Sequence, residues 1–166
     1  VLVQVSVHGT DNRLMVETLR ARPERLRGVA VIPLDLPEKE LAALDAAGVR
    51  GLRLNMLFGG GVGLDKLESY GSLAREMGWH LDARDLAGDL AGRLSRLPVP
   101  VVVDHMGHMP TSAGLDHPGF QALLGLVRDG GWVKLSGAFR TSVEGAPYAD
   151  TIPFARALND AAPDRC

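Results

Sequence analysis

Residues 99–107 read Val-Pro-Val-Val-Val-Asp-His-Met-Gly, and this stretch indicates the class of fold. The three valines 101–103 present apolar side chains to both faces of an extended segment, which is typical of a parallel strand covered on both sides. The polar residues Asp104 and His105 follow directly. A buried strand that ends in titratable side chains is typical of α/β proteins, whose sites lie at the carboxyl ends of the strands.

The same pattern of short apolar runs and helical stretches continues along the chain. We predict strands at residues 1–7, 28–34, 51–55, 79–82, 99–105 and 132–136. Between them, apolar stripes at helical spacing predict amphipathic helices; the clearest stripe is Phe120, Leu123, Leu124 and Val127. Strict alternation favours a parallel sheet of βαβ units. Six units in 166 residues take about 28 residues each, so a closed eight-unit barrel would need roughly 220 residues. An open doubly wound sheet is the alternative.

Composition excludes several classes of protein. A net charge of −2 gives no electrostatic footprint for nucleic acid or an anionic membrane. The lone Cys166 excludes an intramolecular disulfide and a cysteine-cluster metal site. No apolar run is long enough for a transmembrane helix, and the apolar start is too short for a signal peptide. We therefore expect one cytoplasmic domain over residues 1–166, although the chain opens inside a strand-like run as if cut from something longer.

Polar side chains collect where the predicted strands end. An alternating strand would place Gln4, Ser6 and His8 on one face, and Arg53 and Asn55 likewise. The later strands contribute a further set, which is His105, His108, Lys134, Ser136 and Arg140. Imidazoles and guanidinium groups in one cleft would suit polarising a carbonyl and clamping carboxylates. These residues are therefore candidates for a site, His105 for a catalytic role and Arg53, Arg140, Ser6, His8, Asn55 and His108 for substrate binding.

Each signal also has a simpler interpretation. His105 after a buried strand could be a core or capping residue, and its spacing to His108 is only weak evidence for a metal site. Arg53 could form an internal salt bridge. The glycines at 59–63 could cradle a phosphate, but they lack the P-loop and dinucleotide-binding patterns and fit a flexible loop better. Lys134 and Arg140 could be surface charges.

Four stretches, taken in order, carry a resemblance to a known family. They are VQVSVHGTDN at residues 3–12, GVRGLRLN at 48–55, VDHMG at 103–107 and WVKLSG at 132–137. Together they resemble the amidohydrolase-related TIM-barrel hydrolases, in particular the branch similar to 2-pyrone-4,6-dicarboxylate lactonase. The resemblance covers nearly the whole chain and is more specific for the family than for the substrate.

The resemblance implies a (β/α)8 barrel, present here as about six of its eight βα units, that hydrolyses a lactone or related ester. His105 matches a histidine that polarises the carbonyl or binds a metal, and Arg53 and Arg140 match arginines that bind substrate carboxylates. His108 stands where the lactonase pattern more often has arginine. The cofactor stays open between a divalent metal such as zinc and none, and the expected partner is a small lactone or carboxylate.

Two departures from the family pattern concern the chemistry itself. The chain contains no His-x-His pair, and it ends at Asp164-Arg165-Cys166, where the family continues to a Trp-Gly-Thr-Asp stretch holding the general base. We therefore expect barrel units two to seven, with little activity in the isolated chain and association into a homo-oligomer through unpaired sheet edges. The alternatives are a non-catalytic remnant or binding fragment, and a metal-dependent decarboxylase of the same superfamily.

Overall fold

The structure is a computed structural model that describes residues 1–54, 66–83 and 90–166. The chain divides into two compact units, Val1–Asp82 and Ala83–Cys166, which we call unit 1 and unit 2. Within the described ranges, no helix is long and apolar enough to cross a membrane.

Unit 1 is built from parallel strands and the helices that connect them. Its elements in chain order are β1 (Leu2–Val3), α1 (Arg13–Ala21), β2 (Gly28–Ala30), α2 (Glu38–Ala47), β3 (Val49–Leu54), α3 (Leu67–Met77) and β4 (His80–Ala83), whose last residue belongs to unit 2. β2 pairs in parallel with β1 on one side and with β3 on the other. The three residues of β2 are buried, as expected for a central strand of a parallel sheet.

The buried Asn12 joins the start of α1 to the end of β2. Its amide nitrogen donates to the carbonyl of Val31 at 2.8 Å, and its oxygen accepts from the Val31 N–H at 3.3 Å. Because both partners are main-chain groups beyond the last residue of β2, this side chain takes the place of a further strand partner there.

Unit 2 repeats the strand–helix alternation. Its elements are α4 (Leu90–Leu94), β5 (Val101–Val103), α5 (Pro118–Arg128), β6 (Trp132–Val133), α6 (Ala138–Thr141) and α7 (Ile152–Ala161). β5 and β6 pair in parallel, with Val103 opposite Val133. The predicted stripe of α5 is confirmed, since all four of its residues are buried, and Phe120 meets Phe154 of α7 edge to face with ring centroids 4.9 Å apart.

A hydrogen-bonded turn precedes α7, centred on the carboxylate of Asp150. It accepts hydrogen bonds from the hydroxyls of Thr111 and Ser142 and from the Val143 N–H at 2.9 Å. Burial by itself would raise the pKa of Asp150, but these hydrogen bonds outweigh it and hold the pKa at about 2.

All six predicted strands lie close to observed ones, but four of them, at residues 1–7, 28–34, 99–105 and 132–136, are too long. The first ends at Val3 rather than at residue 7, because the amide of Gln4 donates to the carbonyls of Gly9 and Asp11 and folds the chain into a 3-10 turn over Ser6–His8. The last ends at Val133 rather than at residue 136. There the Ser136 N–H bonds to the Lys134 carbonyl at 2.9 Å, which closes a tight turn.

Candidate active site

The chain makes an unusual turn directly after β5. His105, Met106, Gly107 and His108 have φ values of 50°, 53°, 71° and 55°, so four consecutive residues lie in the left-handed region. Only glycine adopts this conformation without cost, and each other residue costs about 1–2 kcal/mol. Strain of this kind clusters at functional sites, because the surrounding structure must hold it in place.

Main-chain hydrogen bonds from neighbouring segments of unit 2 hold this turn. The Met106 N–H donates to the carbonyl of Lys134 at 3.2 Å, and the Lys134 N–H donates to Val103 at 2.9 Å. Gly107 closes the turn on the Asp104 carbonyl at 3.0 Å, and the Met106 side chain is buried. The left-handed backbone is therefore fixed from both β5 and the segment after β6.

A buried ion pair lies directly before His105. Nζ of Lys134 is 2.6 Å from Oδ1 of Asp104, and the Asp104 side chain is only 3% exposed. A carboxylate this deeply buried needs a cation to offset the cost of its desolvation. Lys134, which the sequence left open as a surface charge, thus contacts the residue that precedes His105.

The imidazole of His105 lies among three groups of unit 2. Its Nδ1 is 2.9 Å from Oγ of Ser136, and its ring centroid is 5.2 Å from that of His108, with the rings edge to face. Gly137 packs against the ring: a Cβ at this position would come within 2.9 Å of Cγ and Nδ1 of His105. His105 is half-buried, and so is His108 beside it.

Arg140 lies in α6, which follows Gly137. Its N–H donates to the Gly137 carbonyl at 2.8 Å, and its guanidinium stacks over the ring of Phe139 at 4.9 Å. The side chain is exposed and forms no salt bridge with any residue in the described ranges. It is therefore open to an anionic ligand.

In unit 1, Arg53 lies in β3, one residue before its end. Its Nη1 reaches the carbonyl of Gln4 at 3.5 Å, a long contact, and the side chain is half-buried. Gln4 directly follows β1 and Arg53 lies in β3, so this contact spans β2, which lies between those two strands in the sheet.

The prediction that Gln4, Ser6 and His8 share a strand face is wrong, because Ser6 and His8 lie in the 3-10 turn rather than in a strand. Within that turn Ser6 is half-buried and His8 is exposed. Asn55 and the glycines at 59–63 lie outside the described residues.

A metal site would need further ligands beside the two neighbouring imidazoles. In the part of the chain that the structure describes, no group of three or more histidine, cysteine, aspartate or glutamate residues could hold a metal ion. Two imidazoles alone are fewer ligands than a protein metal site ordinarily supplies.

A separate cavity of about 350 Å³ lies in unit 1 between α1 and α2. Its lining includes Val16, Ile32 and Leu44 with the charged side chains of Arg20 and Glu40. None of the site residues predicted from the sequence and described by the structure lines it. The candidate site therefore rests on the strand ends and not on this cavity.

Three residues support His105 in ways that the sequence does not reveal. Ser136 is recognisable there only as a polar residue at a strand end, and no pattern assigns a role to Asp104 or Gly137. The Ser-Gly pair after a strand is a signal for a tight turn, but no sequence pattern says that this turn touches His105.

The chain resembles characterised proteins over almost its full length. It is 34% identical to a 4-sulfomuconolactone hydrolase of Rhizobium radiobacter and 35% identical to a 2-pyrone-4,6-dicarboxylate hydrolase of Comamonas testosteroni. Each similarity covers 99% of this chain but only 58% and 59%, respectively, of the relative. The chain thus spans somewhat more than half the length of these proteins.

The fold agrees with a solved structure. An apo crystal structure of an Agrobacterium tumefaciens protein superposes with a TM-score of 0.85 at 31% identity, covering 98% of this chain and 61% of that one. The predicted fold class, part of a (β/α)8 barrel with about six of eight units, is confirmed, and the open doubly wound alternative is set aside. The family profile Amidohydro_2, described as amidohydrolase, matches residues 1–166, and the chain belongs to this family of hydrolases.

Proposed function

We propose that residues 1–166 carry the histidine and arginine part of an active site that hydrolyses a lactone bearing acidic groups. The observation that carries the proposal is the left-handed turn at residues 105–108, which holds two imidazoles side by side at the end of a buried strand. The names of the relatives support the substrate class, since both act on lactones that carry a sulfonate or carboxylates.

In the proposed reaction, water attacks the lactone carbonyl carbon and the ring C–O bond breaks, giving a hydroxy acid. His105 donates a hydrogen bond to the carbonyl oxygen, which becomes more negative as the water oxygen bonds to carbon. A general base takes the proton of the water, and the departing ring oxygen receives a proton. We assign the base to a residue outside this chain, as the family resemblance implies.

Arg53 and Arg140 are proposed to bind the acidic groups of the substrate. A guanidinium can donate two parallel hydrogen bonds to a carboxylate, which fixes its orientation as well as its charge. Ser6, His8, Asn55 and His108 are proposed as further substrate contacts. The exposed guanidinium of Arg140 and the place of Arg53 near a strand end support this assignment.

We further propose that residues 1–166 form one part of a larger barrel domain, that the protein is cytoplasmic, and that the isolated chain hydrolyses lactones weakly or not at all. The last is supported by the length of the relatives and by the lack of a His-x-His pair in the sequence.

The test is the rate of hydrolysis of 2-pyrone-4,6-dicarboxylate by the protein that contains residues 1–166, compared with an uncharged pyrone. Arg53→Met and Arg140→Met should each raise KM for the dicarboxylate by about 10- to 100-fold, since each removes a hydrogen bond to a charged group. Arg75→Met, an exposed arginine of α3, is the matched control and should change nothing.

A second variant separates binding from chemistry. His105→Gln should lower kcat by about 100-fold or more, because a donor aimed at the developing oxyanion is lost. Equal KM values in the arginine variants and the control would contradict the carboxylate-binding roles. Binding of the dicarboxylate without any hydrolysis would favour the alternative of a non-catalytic binding protein.

A further inference from the structure

The segment that follows β6 contacts both the main chain and the side chain of the turn after β5. The main-chain carbonyl of Lys134 accepts a hydrogen bond from the Met106 N–H, and its ammonium group forms a salt bridge with Asp104. Two residues later, Oγ of Ser136 is 2.9 Å from Nδ1 of His105. These contacts fix the backbone of His105 and one edge of its ring at the same time.

Gly137 determines how closely this segment approaches the ring. Its backbone has φ 71°, and a Cβ there would come within 2.9 Å of Nδ1 and Cγ of His105. Since Nδ1 and Cγ are neighbours in the imidazole, residues 136 and 137 cover the same edge of the ring. Nε2 is the ring nitrogen remote from that edge.

We infer that Ser136 is a positioning residue: its hydroxyl donates a hydrogen bond to Nδ1 of His105 and thereby keeps the imidazole proton on Nε2. In the neutral ring one nitrogen carries the proton and the other accepts, so the partner of one nitrogen decides the state of the other. With the proton on Nε2, this nitrogen donates to the substrate carbonyl, as the proposed function on which this inference rests requires.

The chemistry of the partner favours this arrangement. A carboxylate or main-chain carbonyl at Nδ1 can only accept, which places the proton on Nδ1 and leaves Nε2 as a lone pair suited to a metal. A serine hydroxyl can donate. Nδ1 of His105 lies 2.9 Å from the Ser136 hydroxyl oxygen and can accept its hydrogen bond.

His117 offers an internal standard in the same chain. Its Nδ1 accepts the Gly119 N–H at 3.1 Å, and because a main-chain N–H can only donate, neutral His117 must carry its proton on Nε2. Its NMR signature therefore calibrates the tautomer expected of His105, independently of any activity.

The experiment is 15N NMR of the histidine rings in the 166-residue chain at pH 8, above the ordinary imidazole pKa of about 6.5. Ring signals are assigned with His105→Gln and His117→Gln. We expect His105 to show the Nε2–H pattern of His117, Ser136→Ala to shift it towards Nδ1–H, and Ser136→Thr to restore it. His117 should not change in either variant. An Nδ1–H pattern in the unmodified chain, or no response to Ser136→Ala, would overturn the inference.

A kinetic readout tests the consequence in the protein that contains residues 1–166. Ser136→Ala should lower kcat about 10- to 100-fold with KM little changed, and Ser136→Thr should recover most of the loss. An unchanged kcat in an active protein would overturn the positioning role even if the tautomer shifts. If the unmodified protein hydrolyses no lactone, the proposed function fails, and the tautomer measurement still decides whether Ser136 sets the state of His105.

Discussion

Replacing Gly137 by alanine tests whether the ring of His105 lies where the structure places it. Two costs arise at this position. An alanine at φ 71° costs about 1–2 kcal/mol because of its left-handed backbone. Its Cβ would also lie within 2.9–3.0 Å of three atoms of His105, and overpacking of this kind costs about 1–3 kcal/mol. The free energy of unfolding should therefore fall by about 2–5 kcal/mol.

Gly78 provides a control with nearly the same backbone conformation. It ends α3 with φ 66° and ψ 28°, against 71° and 29° at Gly137, and a Cβ there would meet nothing within 4 Å. Gly78→Ala should cost only the backbone part, about 1–2 kcal/mol. The difference of about 1–3 kcal/mol corresponds to roughly 2–12 °C in melting temperature for a chain of this size.

Thermal and urea unfolding, followed by circular dichroism, measure both losses. A third variant, His105→Gly, removes the three atoms that the new Cβ would meet, so Gly137→Ala in that background should cost no more than Gly78→Ala does in the unmodified chain. Equal losses for the two alanine variants in the unmodified chain would refute the packing of His105 against Gly137, and so would an unchanged cost of Gly137→Ala in the His105→Gly background.

Three further predictions concern stability and association. Asn12→Ala should lower the free energy of unfolding by about 1–3 kcal/mol, because it leaves buried main-chain groups of Val31 without their partner. The control Thr18→Ala, in α1, should change the free energy of unfolding by no more than about 0.5 kcal/mol. Urea titrations of the two variants and the unmodified chain measure both effects. Asp150 has a pKa of about 2 in the folded chain, below its ordinary 3.8, so its contribution to stability is complete above about pH 4 and is lost as the pH falls towards 2. Asp150→Asn should therefore lose less stability than the unmodified chain between pH 5 and pH 2.5, and equal losses would contradict the hydrogen-bonded turn. Light scattering should show that the 166-residue chain self-associates, and Trp132→Gln should weaken this association, since Trp132 is 42% exposed on β6; a monomer in both cases would count against it.

The residues near the strand ends show how far sequence reasoning reaches. An apolar run followed by Asp104 and His105 identifies a buried parallel strand and the end at which polar groups collect, because both follow from local periodicity. The same periodicity overestimates the first and last strands. Gln4 and Ser136 draw the chain into turns through hydrogen bonds, and such bonds depend on where the chain folds back.

The sequence by itself determined the α/β class, the approximate places of the six strands, and the family to which the chain belongs, since these depend on residue types and their order along the chain; the short helix α6 was not predicted. Only the tertiary structure decided that Lys134 pairs with buried Asp104, that residues 105–108 form a left-handed turn, and that Ser136 and Gly137 meet one edge of His105. These contacts join segments about thirty residues apart, and their distances depend on how β5 and β6 pair, which no local pattern specifies.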